Sequence, residues 1–373
     1  MRAAILILAL LSLSVIANAQ SGVRPSPSPT PRGDDQEPVR VFTEEVRLQI
    51  VATDTYGHYD PTLTLDDVLV VENGEQQQIK SIQHLPENVL LLLDVGNQLG
   101  LKDSTVTRAV AMNLITHLFK GTRFAVMQFA MKPDLIQPWT TDKSGIELKL
   151  KRQILSGKSS RLADALAAAA DQFKETAPGT RHIVIVTDGV DTPGGKVTMT
   201  NALKQLNSIQ ASLHVLSYTA MERQVLQGQT KPVRGGDGVQ RDGAPGGNPV
   251  ANGDPTLPPG TTRTPSFKGG SIDTDVAMRR KRKEYERATR DSEKQLTTIA
   301  DESGGRIFVP TNSNELMAQA DKIAQDIGSQ YVLTYRPTHP LSQAQPGEYR
   351  TVQVAARRVG LYLRTRKGYV VPQ

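Results

Sequence analysis

The sequence predicts an α/β fold: a doubly wound, mainly parallel sheet, with a small antiparallel β domain formed by the segments that flank it. Three observations lead there. Val89 to Leu93 are consecutive aliphatic residues that stop at Asp94 and Gly96, the pattern of a strand buried on both faces between layers of helices. A second apolar run, Ile183 to Val186, stops in the same way at Thr187-Asp188-Gly189. Strand-like and helix-like segments alternate through the middle of the chain, which is the order of a parallel, doubly wound sheet. Two such strands ending together bring Asp94 and Asp188 to the carboxyl edge of the sheet, where these folds place ligands.

The 373 residues suffice for one large core or two ordinary ones, and two domains are expected. Residues 1–19 contain Arg2, an apolar run from Ala3 to Ile16, and Ala17-Asn18-Ala19, the parts of a secretory signal peptide. The apolar run is shorter than a spanning helix needs and no other stretch is long enough, so no membrane span is expected. Cleavage near Ala19 would give an exported protein, periplasmic or secreted. Residues 20–40 are rich in Pro and Ser without apolar periodicity and read as a linker. The Arg32-Gly33-Asp34 within it is a coincidence of common residues.

The β unit is assigned to residues 41–86. Val46, Leu48, Ile50 and Ala52 alternate with polar residues, and Tyr56-Gly57-His58 turns the chain. A strand through Val68 and Val70 then reaches Asn73-Gly74, a hairpin signal, and returns through Gln77 and Ile79. So short a unit holds no core by itself. The α/β domain is assigned to residues 87–329. After the Asp94 strand, Val106, Val110, Leu114 and Leu118 mark one buried helix face. Arg123 to Ala130 is a strand. Leu162, Ala165, Leu166, Ala169 and Phe173 give the helix before the Asp188 strand, and Leu203, Leu206 and Ile209 the helix before a strand through Leu213 and Val215. Residues 221–275, dense in Gly and Pro, read as a disordered insertion.

A helix from about Val276, basic from Arg279 to Lys283, stops at Gly304-Gly305. Ile307 to Val309 is a short strand. Asn312 and Glu315 form a capping box that opens a helix through Leu316, Ala320, Ile323 and Ile327. The chain closes over residues 330–373 with alternating patterns at Tyr331/Leu333/Tyr335, Val352/Val354 and Leu361/Leu363, expected to pack with residues 41–86.

Composition narrows the chemistry. There is no cysteine, which excludes disulfides, thiol catalysis and thiolate metal sites. Much of the +6 net charge sits in the basic run, which has no interleaved aromatics, so it reads as a solvated helix face and no nucleic acid is expected. Gly157-Lys158-Ser159 ends like a phosphate loop, but Arg152 stands where that loop requires glycine. Asp94 and Asp188 have no nucleophile or histidine beside them in sequence, and the six histidines are scattered. No catalytic residue is assigned.

Several stretches between Val41 and Val370 recur in one family: the Glu72-Asn73-Gly74 turn, the strand to Asp94, the segment Ser160 to Leu166, Thr187-Asp188-Gly189, Ser303-Gly304-Gly305, Gln330-Tyr331-Val332-Leu333 and Arg366-Lys367-Gly368-Tyr369. In this order and spacing the chain resembles the von Willebrand factor A-type domain, in particular the bacterial exported proteins called VWFA-related. The resemblance implies a metal-ion-dependent adhesion site at the sheet edge: an Asp-x-Ser-x-Ser motif, a Thr from a second loop and an Asp from a third. Here these fall on Asp94-Val95-Gly96-Asn97-Gln98, Ser160 and Asp188, and both motif serines are missing. Mg²⁺, the candidate ion, demands several oxygens in near-octahedral array, and Gly96 supplies none.

The set Asp94, Gln98, Ser160 and Asp188 is therefore a degenerate metal site. No cofactor is expected, and Asp94 and Asp188 are expected to accept hydrogen bonds from loop amides. The function expected from the resemblance is that of a non-enzymatic, exported protein-interaction module, with Gly96, Asn97 and Gly189 on its partner-binding edge. Its partner is an unidentified protein. An extracytoplasmic hydrolase using Asp94 and Asp188 and a scaffold of an envelope assembly are the alternatives.

Overall fold

The strand that ends at Asp94 is the centre of a six-stranded sheet. The computed structural model describes residues 44–97, 104–174, 176–230 and 276–371. The expected signal peptide, the linker and Gln98 lie outside the described residues.

The chain begins with β1 (Val46–Thr53), β2 (Val68–Glu72), β3 (Glu75–Gln77) and β4 (Ile79–Gln83). Asn73 and Gly74 join β2 to β3 with φ of 47° and 89°, the left-handed pair that a two-residue hairpin turn requires. The α/β region follows with β5 (Glu87–Asp94), α1 (Ser104–His117), β6 (Arg123–Phe129), β7 (Pro133–Thr140), α2 (Ile146–Gln153), α3 (Leu162–Gln172) and β8 (Thr180–Thr187). Next come α4 (Met199–Ile209), β9 (Ser212–Ser217), α5 (Thr219–Thr230), α6 (Val276–Ser303), β10 (Ile307–Phe308) and α7 (Ser313–Gly328). The closing strands are β11 (Tyr331–Tyr335), β12 (Tyr349–Ala356), β13 (Tyr362–Arg364) and β14 (Gly368–Val370).

The large sheet has the order β10-β9-β8-β5-β6-β7, parallel except for β7. Because side chains alternate along a strand, β5 is buried from both sides. Leu91 and Leu93 pack with Val110, Leu114 and Ile115 of α1 and with Leu316 and Ile323 of α7. Leu90 and Leu92 pack with Leu162 and Leu166 of α3, Leu206 of α4 and Leu296 of α6. The chain winds outward from β5 first through β6 and then back through β8, so the strand order reverses beside β5 and opens a crevice at its carboxyl end.

The flanking segments make two four-stranded sheets, β13-β1-β11-β4 and β14-β12-β2-β3, with Leu48, Ile50, Val68, Val70, Leu333, Tyr335 and Val352 in one core. Each sheet takes strands from both ends of the described chain. Glu72 ties them: its Oε2 accepts from the Tyr335 and Tyr369 hydroxyls at 2.5 and 2.9 Å, and its Oε1 from Arg350 Nη1 at 3.0 Å. Two of the sequence stretches noted above, at Glu72 and at Tyr369, thus meet around one carboxylate, joined there by Tyr335 of β11. Within the β layer Thr365 Oγ1 donates to the Gln49 carbonyl at 2.7 Å, and Arg364 reaches the Gly305 carbonyl at 2.9 Å and Asp326 at 2.5 Å, joining the layer to the α/β region.

Some elements differ from the sequence reading. β7 and α2 have no counterpart in it. β7 is an antiparallel edge strand with prolines at 133 and 138 and only Ile136 buried, so it shows no apolar alternation. α2 is short and buries only Ile146 and Leu150. The return strand after Asn73-Gly74 divides at Gln78: β3 stays with β2, while β4 crosses to β11 in the other sheet. The first part of the insertion expected over residues 221–275 is helical, because α5 covers Thr219–Thr230. Among the described side chains of α5 the buried ones are Thr219, Glu222 and Leu226, and the two polar members hide the helical period. Residues 231–275 lie outside the described residues.

Candidate functional site

β5 and β8 lie side by side in parallel register, Leu93 opposite Val186, and end together at the crevice. Asp94 is fully buried there. Its Oδ1 accepts the Gly96 N–H at 3.0 Å and the Ser160 hydroxyl at 2.6 Å, and its Oδ2 accepts the Thr187 hydroxyl at 2.7 Å. Thr187 Oγ1 in turn accepts the Gly189 N–H at 2.9 Å. One carboxylate therefore organises three loops, those after β5, before α3 and after β8.

The loop after β5 is clamped from the side. Gly157 donates its N–H to the Val95 carbonyl and accepts from the Asn97 N–H, both at 2.8 Å. A Cβ added to Gly96 would lie 2.1 Å from Ser160 Oγ and 2.6 Å from the Ser159 carbonyl oxygen. The serine that the adhesion motif places at position 96 thus has no room in this backbone arrangement. The short loop before α3 fills the space its side chain would occupy.

Asp188 is engaged from the other side. Its Oδ1 accepts the Val190 N–H at 2.9 Å, and its Oδ2 accepts the Tyr285 hydroxyl, which also lies 2.8 Å from Glu222 Oε2. Tyr285 and Glu222 are 8% and 4% exposed. Burial, then the Asp188 and Glu222 charges, push the Tyr285 phenol far above its usual range, so it stays neutral. Tyr285 stands on α6, which lies across the third loop. Ser292 Oγ donates to the Asp188 carbonyl at 2.9 Å, and Leu296 packs so closely on Gly189 that a Cβ there would be 2.5 Å from Leu296 Cδ1. Glu293 fastens α6 to α5 through Thr219 Oγ1 at 2.9 Å and Arg223 Nη1 at 2.8 Å.

These contacts bear on whether the residues fit a hard divalent ion. Of the four metal candidates, Ser160 and Asp94 bond to each other, Asp188 is turned to Tyr285 on α6, and Gln98 lies outside the described residues. An ion at Asp94 would need oxygens in open octahedral array, whereas both Asp94 oxygens already receive internal donors and the space beside Gly96 is filled. In this arrangement the described residues present no open set of oxygens to Mg²⁺.

The residues expected on the partner-binding edge lie under neighbouring loops and helices. Gly96 and Gly189 are buried, under the 159–160 backbone and Leu296 respectively, and Asn97 is half-buried. Side chains that do face outward near this edge are Met131 and Leu155, 60% and 69% exposed, and Lys158. The sequence reading missed Thr187, Glu222 and Tyr285. Thr187 was visible beside Asp188 in the motif itself. Tyr285, far away in sequence on a strongly charged helix, carried no local signal.

Residues 89–190 match the profile of the von Willebrand factor type A domain, and the chain carries an A-type domain there. Among solved structures, it is similar to an aerotolerance-related membrane protein from Bacteroides fragilis, at 16% identity and TM-score 0.37, over 64% of this chain and 98% of that one. It is also similar to BatB from Bacteroides thetaiotaomicron, at 16% identity and TM-score 0.36, over 65% and 97%. A von Willebrand factor type A protein from Catenulispora acidiphila aligns over 86% of this chain and 72% of its own, at 11% identity and TM-score 0.41. No curated protein matches the chain.

Proposed function

We propose that this von Willebrand factor A-type domain is a non-enzymatic protein-interaction module with a degenerate metal site, whose carboxyl-edge loops dock a protein partner without a bridging ion. The observation that carries the reading is the engagement of both edge carboxylates inside the chain, Asp94 by Gly96, Ser160 and Thr187, and Asp188 by Val190 and Tyr285. A general acid or base must reach a substrate proton. Asp94 and Asp188 are 0% and 2% exposed and face donors of their own chain.

What the edge offers outward is apolar and basic. The loops that carry Met131 and Leu155 touch, with the Arg161 N–H donating to the Ala130 carbonyl at 2.8 Å, so the exposed side chains sit on fixed backbone. Exposed apolar side chains on preorganised loops bind with little ordering cost. The amino-terminal segment supports an exported location. Among the described residues no helix is long and apolar enough to cross a membrane.

A photoreactive residue placed at Leu155, and in a second variant at Lys204 on α4, tests the reading in cells of the source organism. Leu155 should give a discrete protein adduct that persists in chelator, and Lys204 should not. Equal labelling from both positions, or loss of the Leu155 adduct in chelator, would overturn it.

A further inference from the structure

At the opposite end of the sheet from Asp94, a cleft of about 380 Å³ opens between the α/β region and the β layer. Its walls are the 176–181 segment leading into β8, the end of α4 at Ile209 and Gln210, Gln49 of β1, and three arginines, Arg47, Arg181 and Arg366. No Asp or Glu lines it. Among the described residues, none of the three guanidiniums pairs with a carboxylate. Like charges gathered without counter-charge repel, and folded chains tolerate this where an anion completes the set.

The end of α4 explains part of the arrangement. Arg181 Nη1 donates to the Ile209 carbonyl at 3.0 Å and Arg366 Nη2 to the Gln210 carbonyl, which suits the negative end of a helix. Each contact uses only one of the several N–H donors a guanidinium carries. Arg366 is 6% exposed, and its Nε has no hydrogen-bond partner. A buried, always charged group with an orphaned donor is costly unless a ligand satisfies it. A smaller cavity of about 30 Å³ is also lined by Arg366 and includes Glu302, but among the described residues no ion pair joins the two.

The walls are also set in advance. The Thr180 N–H donates to the Pro86 carbonyl at 2.9 Å, and Asn88 Nδ2 holds the Ala177 and Thr180 carbonyls at 3.2 and 3.1 Å. A Cβ on Gly179 would stand 2.2 Å from the Pro86 oxygen, so the segment is pressed against its neighbour. A cleft with braced walls and three lining arginines suits the paired oxygens of a carboxylate or phosphate. Its volume exceeds that of a single ion and lies within the range of small-molecule sites.

We propose that the cleft bounded by Arg47, Arg181 and Arg366 is a binding site for an oxyanion, a carboxylate or phosphate borne on a small molecule. This assignment is independent of the docking edge at the other end of the sheet. The test is thermal unfolding of the full-length chain titrated with inorganic phosphate, with citrate, and with sodium chloride at matched ionic strength. A ligand that binds only the folded state raises its stability with concentration.

Phosphate or citrate should raise the melting temperature along a saturating curve that chloride does not reproduce. The more effective of the two identifies the group. Arg181→Gln and Arg47→Gln should each weaken the apparent affinity several-fold while leaving the unliganded protein folded. These two variants are preferred because Arg366 is buried and its replacement could unfold the chain. Stabilisation no greater than that given by chloride, or full response retained in both variants, would overturn the proposal.

Discussion

The phenol of Tyr285 donates a hydrogen bond to Oδ2 of Asp188, so a residue of α6 occupies the third-loop carboxylate of the A-type domain. The same hydroxyl stands 2.8 Å from Glu222 of α5, and it links two helices and a loop at the sheet's carboxyl edge. Tyr285→Phe removes the hydroxyl and leaves two buried carboxylates facing a hydrocarbon ring. The expected loss is roughly 1–3 kcal/mol, the penalty of a buried polar group left unmatched. Urea unfolding measures it, and the loss should shrink when Glu222→Gln is already present. An unchanged midpoint would mean that the contact contributes nothing to the fold.

Gly96→Ser should not rebuild a metal site. The added Cβ meets Ser160 Oγ at 2.1 Å, and an overfilled position of this kind costs about 1–3 kcal/mol. The variant should melt lower than the parent, and millimolar Mg²⁺ exchanged for chelator should leave both melting temperatures unchanged. A large drop in chelator, abolished by Asp94→Ala and by Asp188→Ala, would show that this edge binds metal after all.

Glu72→Ala tests the tie inside the β layer. Glu72 and Arg350 have side chains 3% exposed and 3.0 Å apart, with the Tyr335 and Tyr369 hydroxyls on the same carboxylate. Removing Glu72 leaves Arg350 with Glu348 at 2.9 Å and the His339 carbonyl at 2.7 Å but takes the acceptor from two buried hydroxyls, with an expected loss of roughly 1–3 kcal/mol. The Glu72→Ala, Arg350→Met double variant should recover part of it. Denaturant midpoints of the two variants decide the matter.

His214 sets a pH dependence. It is fully buried, and burial together with the Arg364 and Arg306 charges pushes it down to about 3. The Asp326 carboxylate lies 3.6 Å from its Nδ1, but that group already receives Arg364 and the Tyr59 hydroxyl, so the imidazole stays neutral. In the unfolded chain a histidine takes up its proton near pH 6.5, while the folded chain keeps His214 unprotonated until about pH 3. The unfolded state therefore binds more protons across this window, and stability falls as pH drops, at up to about 1.4 kcal/mol per pH unit. His182, buried beside it and likewise shifted down, adds to the slope. Unfolding free energies between about pH 6.5 and pH 5 should show a shallower slope for His214→Phe than for the parent.

The α/β class was legible because its signals are local. Five aliphatic residues before Asp94 and four before Thr187 suit only strands covered on both faces, and the four-residue spacing of Val106, Val110 and Leu114 suits only a helix with one buried face. The edge strand β7 left no such mark, since an element bonded on one side can keep prolines and polar residues. α5 was hidden for a related reason, with Glu222 on its buried stripe.

By itself the sequence determined where the two carboxylates stand, at the ends of β5 and β8, because parallel strands of similar length must end together. It also determined that the serines of the adhesion motif are absent. Only the tertiary structure decided what those carboxylates do. Ser160 and Thr187 converge on Asp94 from loops 66 and 93 residues further along the chain, and Tyr285 reaches Asp188 across 97 residues. The guanidiniums of the oxyanion cleft come from β1, β8 and the segment before β14, and no window of sequence contains them together. Periodicity reports which face of an element is covered, because that depends on near neighbours in the chain. Which side chains cover it depends on how the layers pack, and packing is a property of the whole chain.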